Sequence, residues 1–407
     1  TNAANASLMD ASCVSGISFK SLLPLIQEDV DKVRSKEKPQ VVIVVAHTSM
    51  GKGDGQNLER QGLDLFNSLK GVDVLVTGHD HSTKVLKTDS TVLLDCGRAG
   101  QYACLADIKL VVRGGKVISR SLSGEVESFG SENYDTAMEE AFKSDYEKVR
   151  DFNASHVGEV KKDLVSREFY YRQCDYMNFL HALAFSAWPV DISLSATLLI
   201  DGMVPAGEVR YQDIRKIYPY DNMLIVLRLT GAEILRYLEA SYDAWISTVP
   251  GPAEGSHVLR ITQTKDYATG GMKWKLAKSP ANFDSAAGIR YTVDVTKPYG
   301  SRVTVSGMAD GSPFEMDKDY SVAITSYRST GSGGLMKAAG LMDARSVEDR
   351  IIYRGPEFRT ILYRYLKKHG SIDPAVVGDP NVVGSWRFVP DFAPEAIKAD
   401  VELIYGK

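Results

Sequence analysis

The chain has 407 residues, with 48 lysines and arginines against 52 aspartates and glutamates, so its formal net charge at neutral pH is −4. This length indicates about two or three domains with ample material for a hydrophobic core. No stripe of basic residues is present to neutralise phosphates, which argues against long nucleic acid as a partner, and no apolar run reaches the roughly 18 residues of a membrane span.

The first part of the chain gives few signals. Residues 1–15 carry no periodic pattern and are expected to form a frayed end, and residues 1–7 (TNAANAS) are too polar for a signal peptide. Residues 18–34 have apolar side chains at helical spacing, which predicts a helix. The cysteines show neither a CxxC motif nor a disulfide framework, so we predict buried thiols at Cys13, Cys96, Cys104 and Cys174.

Two apolar runs end in histidines. Residues 41–46 (VVIVVA) precede His47, residues 72–77 (VDVLVT) precede Gly78, and residues 56–70 between the runs have helical spacing. Strand, helix and strand predict a parallel pair whose carboxyl ends meet where open α/β sheets bind ligands. His79 and His81 would point the same way on extended backbone, so a metal site with His47 is predicted. Surface histidines on loops are the alternative.

The residues AHTS at 46–49 and GHDH at 78–81 resemble the last two metal-binding blocks of the calcineurin-like metallophosphoesterases. The resemblance implies that His47, His79 and His81 help to bind a pair of divalent metals such as Zn or Mn. The earlier blocks of that family supply the bridging carboxylate and the catalytic histidine, and they do not occur here. The chain is therefore expected to be the C-terminal part of a longer enzyme, with an incomplete metal site and no catalytic residue of its own.

The chain then continues with β-structure and a helix. Residues 91–95 predict a strand, and residues 105–112 and 116–123 flank Gly114-Gly115, which is typical of a hairpin. Residues 131–154 carry one apolar stripe and predict an amphipathic helix. We interpret residues 128–156 as a connector between residues 1–127, a partial metallophosphoesterase domain, and residues 157–407.

The second domain mixes helices and strands without regular alternation, which favours an α+β fold. Predicted helices include residues 175–187, where His181 is expected to be a satisfied core residue, and a helix opened by the capping box of Thr230 and Glu233. Pro356 and Gly370 are expected to bracket a last helix. The predicted strands cover residues 191–200, 223–229, 288–295 and 320–326.

Two loops of this domain carry an aromatic residue beside polar groups. They are residues 217–222 (IYPYDN) and residues 326–334 (SYRSTGSGG). Tyr220 and Tyr327 could sandwich a nucleobase, with each stack contributing about 1–3 kcal/mol. Asn222 could read the edge of the base, and glycines let backbone N–H groups approach a ligand. The alternative is ordinary packing, since the chain has 20 tyrosines.

Residues 157–390 resemble the 5′-nucleotidase C-terminal domain. The matching landmarks are residues 209–239, 283–298 and 319–334. The resemblance implies that the base stacks between Tyr220 and Tyr327 and contacts Asn222. The predicted substrate-binding residues are Tyr220, Asn222, Asp284, Tyr327, Arg328, Gly331 and Gly333.

The residues of the last loop indicate which branch of this family the chain resembles more. The last loop reads Gly-Ser-Gly-Gly where 5′-nucleotidases usually have Gly-Gly-Asp-Gly, and with NFDSAAG at 282–288 it is more similar to the 2′,3′-cyclic-nucleotide 2′-phosphodiesterase/3′-nucleotidase branch. The expected function is metal-dependent hydrolysis of nucleotide phosphate esters, with the nucleotide in a cleft between the domains, in a periplasmic or secreted protein. The alternatives are a 5′-nucleotidase or UDP-sugar hydrolase, a non-catalytic nucleotide-binding module, and a structural fragment.

Overall fold

A computed structural model describes residues 18–130, 135–252, 255–265 and 270–406. The chain divides into two compact units, Thr1–Ser144 and Asp145–Lys407. The frayed end predicted for residues 1–15 and the thiol predicted at Cys13 lie outside the described residues. No helix in these ranges combines the length and the apolar character that crossing a bilayer requires.

The first unit contains an α/β sheet followed by a long hairpin. Its elements are α1 (Leu22–Lys36), β1 (Ile43–His47), α2 (Gly62–Ser68), β2 (Val74–Gly78), β3 (Thr83–Lys87), β4 (Val92–Cys96), β5 (Tyr102–Arg113) and β6 (Lys116–Ser128), and α3 (Thr136–Asn153) contains the boundary between the units.

The predicted parallel strand pair is confirmed. The sheet has the order β1-β2-β4-β3, with β1, β2 and β4 parallel and β3 antiparallel to β4. In the register of β1 and β2, His47 is paired with Gly78, so the carboxyl ends of these strands meet. The helix between them is shorter than the predicted residues 56–70, because the backbone up to Gln61 forms a loop in which Thr48 Oγ1 accepts from the Gln61 N–H at 2.9 Å.

The hairpin of β5 and β6 is also confirmed and is longer than predicted. Gly114 and Gly115 have φ of 57° and 73°, as a tight two-residue connection requires. The prediction of four free thiols is wrong, because Cys96 and Cys104 are disulfide-bonded with their Cα atoms 5.5 Å apart. Spacing along the chain could not show that the end of β4 lies beside β5. Cys174 is a buried free thiol, as predicted.

The second unit is an α+β domain. Its elements are β7 (His156–Val160), β8 (Leu164–Val165), α4 (Asp175–Ala187), β9 (Ile192–Ala196), β10 (Met203–Val204), β11 (Gly207–Arg210), α5 (Ile214–Ile217), β12 (Met223–Thr230), α6 (Gly231–Trp245), β13 (Ile261–Lys265), β14 (Met272–Leu276), β15 (Asp284–Ala287), β16 (Ile289–Asp294), β17 (Val303–Met308), β18 (Asp319–Thr325), α7 (Ser326–Ser329), α8 (Leu335–Ala339), α9 (Ala344–Glu348), β19 (Ile351–Glu357), α10 (Phe358–His369), β20 (Ser371–Ile372), α11 (Pro374–Val377), β21 (Trp386–Val389) and α12 (Phe392–Tyr405).

A five-stranded mixed sheet with the order β15-β9-β18-β12-β19 organises this unit. The capping box at the start of α6 is confirmed, since Thr230 Oγ1 accepts from the Glu233 N–H and Glu233 Oε2 accepts from the Thr230 N–H at 2.7 Å. Gly370 ends α10 with a φ of 77°. Two expectations are wrong: Pro356 lies in β19 rather than at a helix start, and α12 follows as a later helix.

His181 is a core residue, as predicted. It is 2% exposed, with Nδ1 3.0 Å from Ser193 Oγ and Nε2 3.2 Å from Ser285 Oγ. Burial lowers the pKa of this imidazole to about 4, because the charged form loses its hydration. The side chain is therefore neutral at physiological pH and bridges two strands of the sheet.

Candidate functional site

Two of the three predicted metal-binding histidines lie together at the carboxyl ends of β1 and β2. His47 Nε2 is 3.2 Å from His79 Nδ1, and the two rings meet edge to face with centroids 5.1 Å apart. An ion placed between these two nitrogens, instead of their direct contact, would be bound by both rings. The parallel register that pairs His47 with Gly78 is what brings these side chains together.

His81 does not join this pair. The residues that the structure describes hold no group of three His, Cys, Asp or Glu side chains that could bind a metal ion. The expected convergence assumed extended backbone, but φ is 107° at His79 and 56° at His81, so the alternation of side chains is broken. Positive φ costs free energy in a residue with a Cβ, and such strain often marks functional sites.

A hydrogen bond holds the turn that carries these two histidines. Asp80 Oδ2 accepts from the Met50 N–H at 2.7 Å. Burial alone would raise the pKa of Asp80, but hydrogen bonds from Met50 and Ser49 and the charge of Arg60 outweigh it, so the pKa is lowered. The ionised carboxylate thus ties the strained turn to the loop after β1.

Glu59 contacts His79 and was not predicted from the sequence. Its Oε1 lies 3.0 Å from His79 Nε2, and its backbone carbonyl accepts from Thr48 Oγ1 at 2.7 Å. His47, Thr48 and Glu59 line a cavity of about 210 Å³. A carboxylate on the second nitrogen of a histidine fixes the tautomer of that ring and orients it. Because Glu59 lies within an irregular loop, no spacing pattern could identify it.

Asp95 is a second acidic residue at this edge of the sheet. It is fully buried at the end of β4, and Thr77 Oγ1 donates to its Oδ2 at 3.5 Å. Burial raises its pKa, with the nearby charge of Asp80 adding to the effect. Its Oδ1 has no hydrogen-bond partner among the described residues. A buried carboxyl with a raised pKa next to a candidate metal site is a candidate functional group.

The two aromatic loops of the second unit lie at the same end of its sheet. In the antiparallel pair of β12 and β18, Leu224 is opposite Thr325, so Tyr220 precedes this point and Tyr327 follows it. Ser326 Oγ accepts from the Met223 N–H at 3.0 Å and joins the two loops directly. Tyr220 is 48% exposed and Tyr327 is half-buried, so each has ring surface accessible to a ligand.

Asn222 is fixed beside an aromatic stack. Its backbone carbonyl accepts from the Phe358 N–H at 2.9 Å, and its Nδ2 is 3.5 Å from Tyr218 Oη. The rings of Tyr218 and Phe358 are stacked with centroids 5.1 Å apart and an interplanar angle of 6°. The amide is therefore held next to Tyr220 on a rigid support, with hydrogen-bonding capacity left for a ligand.

Asp284 and Arg328 were predicted to bind substrate, but they are 1% and 2% exposed and bind each other. Arg328 Nε donates to Asp284 Oδ2 at 3.0 Å, and Nη2 donates to Oδ1 at 2.5 Å. Tyr237 Oη donates to the same carboxylate at 2.5 Å. Their predicted role stays a prediction, and the structure gives both a supporting position behind the loop.

The glycine-rich loop is attached to this ion pair. Arg328 Nη1 donates to the Ser332 carbonyl at 3.1 Å and to Asn282 Oδ1 at 3.0 Å. Gly331 and Gly333 have φ of 84° and 78°, a conformation that glycine adopts without strain. A Cβ on Gly333 would lie 2.3 Å from Asn282 Oδ1, whereas one on Gly331 would meet nothing within 4 Å. Gly331 thus has room for a ligand, and Gly333 is required for packing.

Comparison with known proteins shows what the second unit and the whole chain are similar to. Residues 156–340 match the family model described as 5′-nucleotidase, C-terminal domain. The chain is 22% identical over 410 residues to the trifunctional nucleotide phosphoesterase protein YfkN of Bacillus subtilis, covering 88% of this chain and 26% of that protein. It is 21% identical to the 2′,3′-cyclic-nucleotide 2′-phosphodiesterase/3′-nucleotidase of Salmonella typhimurium, covering 98% of this chain and 66% of that enzyme.

The fold has a solved counterpart. A crystal structure from Staphylococcus aureus, described as a 5′-nucleotidase in complex with alpha-ketoglutarate, superimposes with a TM-score of 0.58 at 17% identity, covering 92% of this chain and 69% of that one. This likeness concerns the fold alone. The resemblance drawn from the sequence motifs is confirmed for residues 156–340, which match the 5′-nucleotidase C-terminal domain model.

Proposed function

We propose that this chain provides the nucleoside-binding part of a metal-dependent phosphoesterase that hydrolyses nucleotide phosphate esters. The observation that carries the proposal is the placement of Tyr220 and Tyr327, within a 5′-nucleotidase C-terminal domain, at one end of one sheet. In this proposal the two rings hold the base, Asn222 hydrogen-bonds its edge, and the backbone N–H groups around Gly331 face the sugar.

The side chains of the first unit fit only part of a metal centre. Imidazole is a common metal ligand, and His47 and His79 have nitrogens close enough to share an ion. A zinc site takes four donors, however, and the described residues provide no cluster of three. When a full site is present, the family's metals activate water and neutralise charge on the phosphate. For this chain we assign only metal contacts, by His47 and His79, and the contact predicted for His81 stays a prediction.

The residue pattern of the last loop supports the cyclic-nucleotide and 3′-nucleotide type of substrate. The loop 331–334 contains Gly, Ser, Gly and Gly, so it offers backbone groups but no carboxylate to bind ribose hydroxyls. A substrate with phosphate on the 2′ or 3′ oxygen leaves no free pair of ribose hydroxyls for such a carboxylate. A relative of this chain carries the name of this activity.

A nucleotide-binding module without catalysis is the second candidate. It is favoured by the lack of a three-donor cluster among the described residues. The nucleoside site lies wholly in the second unit and does not depend on the histidines. Nucleoside binding is therefore expected under either candidate, and only metal-dependent turnover separates them.

An oxidising compartment is part of the proposal. The Cys96–Cys104 disulfide joins the end of β4 to the hairpin of the first unit, and disulfides persist mainly in periplasmic and secreted proteins. This supports a periplasmic or secreted location, as the resemblance implies.

Calorimetric titration tests the proposed function. The chain is titrated with adenosine, 3′-AMP and 5′-AMP, each with EDTA and with Mn²⁺. We expect adenosine to bind in EDTA, and 3′-AMP to gain more affinity from Mn²⁺ than 5′-AMP does. If no nucleoside binds, the proposal is wrong. If 5′-AMP gains more, the 5′-nucleotidase alternative is correct.

A further inference from the structure

A cavity of about 220 Å³ lies on the second unit, and none of its lining residues belongs to the tyrosine loops. Three elements form it: the end of α4 at Ser186, the strand β19 at Tyr353, and one face of α10. The face of α10 contributes Arg364, Tyr365, Lys368 and His369, which lie one turn apart along the helix. Its three basic side chains are all exposed, and no acidic residue lines the cavity.

The positive charge of Arg364 and Lys368 is not neutralised within the part of the chain that the structure describes. Nearby arginines are paired: Arg354 with Glu348 and Arg359 with Asp221. Among the described residues, by contrast, no carboxylate lies within 4.0 Å of either Arg364 or Lys368, and neither side chain makes a hydrogen bond there. The two cations therefore present a local positive charge over a concave surface.

Aromatic rings make the walls of the cavity rigid. Tyr353 is stacked on Trp188 with ring centroids 3.7 Å apart and an interplanar angle of 11°. The ring of His369 is stacked on Tyr365 at 4.5 Å and 25°. These contacts fix two flat surfaces next to the basic side chains. A ligand here would meet both the basic side chains and aromatic rings.

The helix dipole alone does not explain this arrangement. Cations stabilise the last turn of a helix, and the effect falls off beyond that turn. Lys367, Lys368 and His369 lie in the last turn of α10, but Arg364 precedes them. Lys367 is exposed on the same turn and does not line the cavity, so the dipole accounts for Lys367 but not for Arg364 inside the cavity.

We propose that this cavity binds a small phosphate-bearing anion. A guanidinium matches two phosphate oxygens at once, and the ammonium of a lysine adds a point charge. The cavity is smaller than the roughly 300–1,000 Å³ of sites for drug-sized ligands, which limits the ligand to inorganic phosphate or a phosphate monoester with a small ring. The proposal does not rest on the proposed phosphoesterase activity, because none of its residues belongs to the histidine or tyrosine sites.

The test uses the full chain in EDTA, so that no metal can bind phosphate at the histidines. Binding of inorganic phosphate is followed by ³¹P NMR, and binding of phenyl phosphate by saturation-transfer NMR. Saturable binding is expected, and the double substitution of Arg364→Ala and Lys368→Ala should weaken it by at least about tenfold, as expected from the loss of charge-assisted hydrogen bonds. Lys367→Ala, the matched control, should leave the affinity unchanged.

Two comparisons identify the source of the binding. If the rings take part, phenyl phosphate binds more tightly than inorganic phosphate; equal affinity means that the phosphate group alone is recognised, and both results support the site. The double substitution of Tyr220→Ala and Tyr327→Ala should leave binding intact. Absence of saturable binding, or an equal loss of affinity with Lys367→Ala and with Lys368→Ala, would overturn the proposal.

Discussion

Arg328 and Asp284 form a buried ion pair whose guanidinium also holds the glycine-rich loop. Arg328 Nε lies 3.0 Å from Asp284 Oδ2, and Nη1 lies 3.1 Å from the Ser332 carbonyl. Asp284 and Tyr237 raise the pKa of Arg328 more than burial lowers it, so the guanidinium stays charged. One loop of the candidate nucleoside site is thereby fixed to the strand β15 through a charged pair.

The first prediction is that Asp284→Ala destabilises the second unit strongly. The substitution leaves a buried guanidinium without its partner, which typically costs about 3–5 kcal/mol. All four tryptophans lie in the second unit, so tryptophan fluorescence during urea unfolding measures this loss. Glu348→Ala is the matched control, since Glu348 forms an exposed pair with Arg354 worth about 1 kcal/mol or less. Equal costs for the two variants would contradict the prediction.

The second prediction concerns metal binding. With two close imidazoles and no three-donor cluster among the described residues, the chain should bind zinc weakly and in less than stoichiometric amount. Elemental analysis after dialysis measures the metal retained. His47→Ala should abolish it, whereas His156→Ala, at an exposed histidine of the second unit, should not. Tight retention of two metals per chain would show that the site is complete.

The third prediction is that the isolated chain does not hydrolyse 2′,3′-cyclic AMP in the presence of Mn²⁺. We assign no catalytic residue to it, and loss of groups that act as a unit commonly costs several orders of magnitude in rate. Phosphate release is assayed with and without EDTA. Turnover that EDTA and His47→Ala both abolish would disprove the prediction and favour the enzyme over the binding module.

The fourth prediction follows from the buried neutral His181. Its pKa is about 4 in the folded chain and about 6.5 in an unfolded one. Between these values the unfolded state binds more protons, so stability is full above about pH 6.5 and falls as the pH drops towards about 4. The shift corresponds to about 3 kcal/mol. The free energy of unfolding, measured with urea at several pH values, should fall more steeply with decreasing pH for the wild type than for His181→Gln. An equal pH dependence for the two proteins would contradict the assignment.

Periodic and topological features could be predicted from the sequence. The strand at 72–77, the capping box at Thr230 and the core position of His181 depend on local patterns, and the structure confirms them. The contact of Glu59 with His79 depends on an irregular loop, and the Cys96–Cys104 disulfide depends on how the end of β4 lies beside β5. The left-handed backbone at His79 and His81 could not be predicted because neither residue is glycine, and it changes where His81 points.

The last prediction concerns Tyr220 and Tyr327. If both rings stack on the base, adenosine should bind with modest affinity in EDTA, because neither metal nor phosphate is needed. Each Tyr→Ala substitution should weaken binding by about 1–3 kcal/mol, the value of one stack. The two losses should not add, because both rings contact one ligand. Tyr→Phe at either position should change little, because only the ring face is used.

Because neither ring is fully buried, loss of adenosine binding can be distinguished from loss of core packing. Tyr220 is 48% exposed and Tyr327 half-buried, so truncation removes little core packing, and circular dichroism checks that each variant stays folded. Tyr299→Ala is the matched control, since Tyr299 is 55% exposed and lies outside both loops. Calorimetry should show weaker adenosine binding for Tyr220→Ala and Tyr327→Ala but not for Tyr299→Ala. Unchanged affinity in the double variant would mean that these tyrosines are ordinary loop residues and that adenosine binds elsewhere.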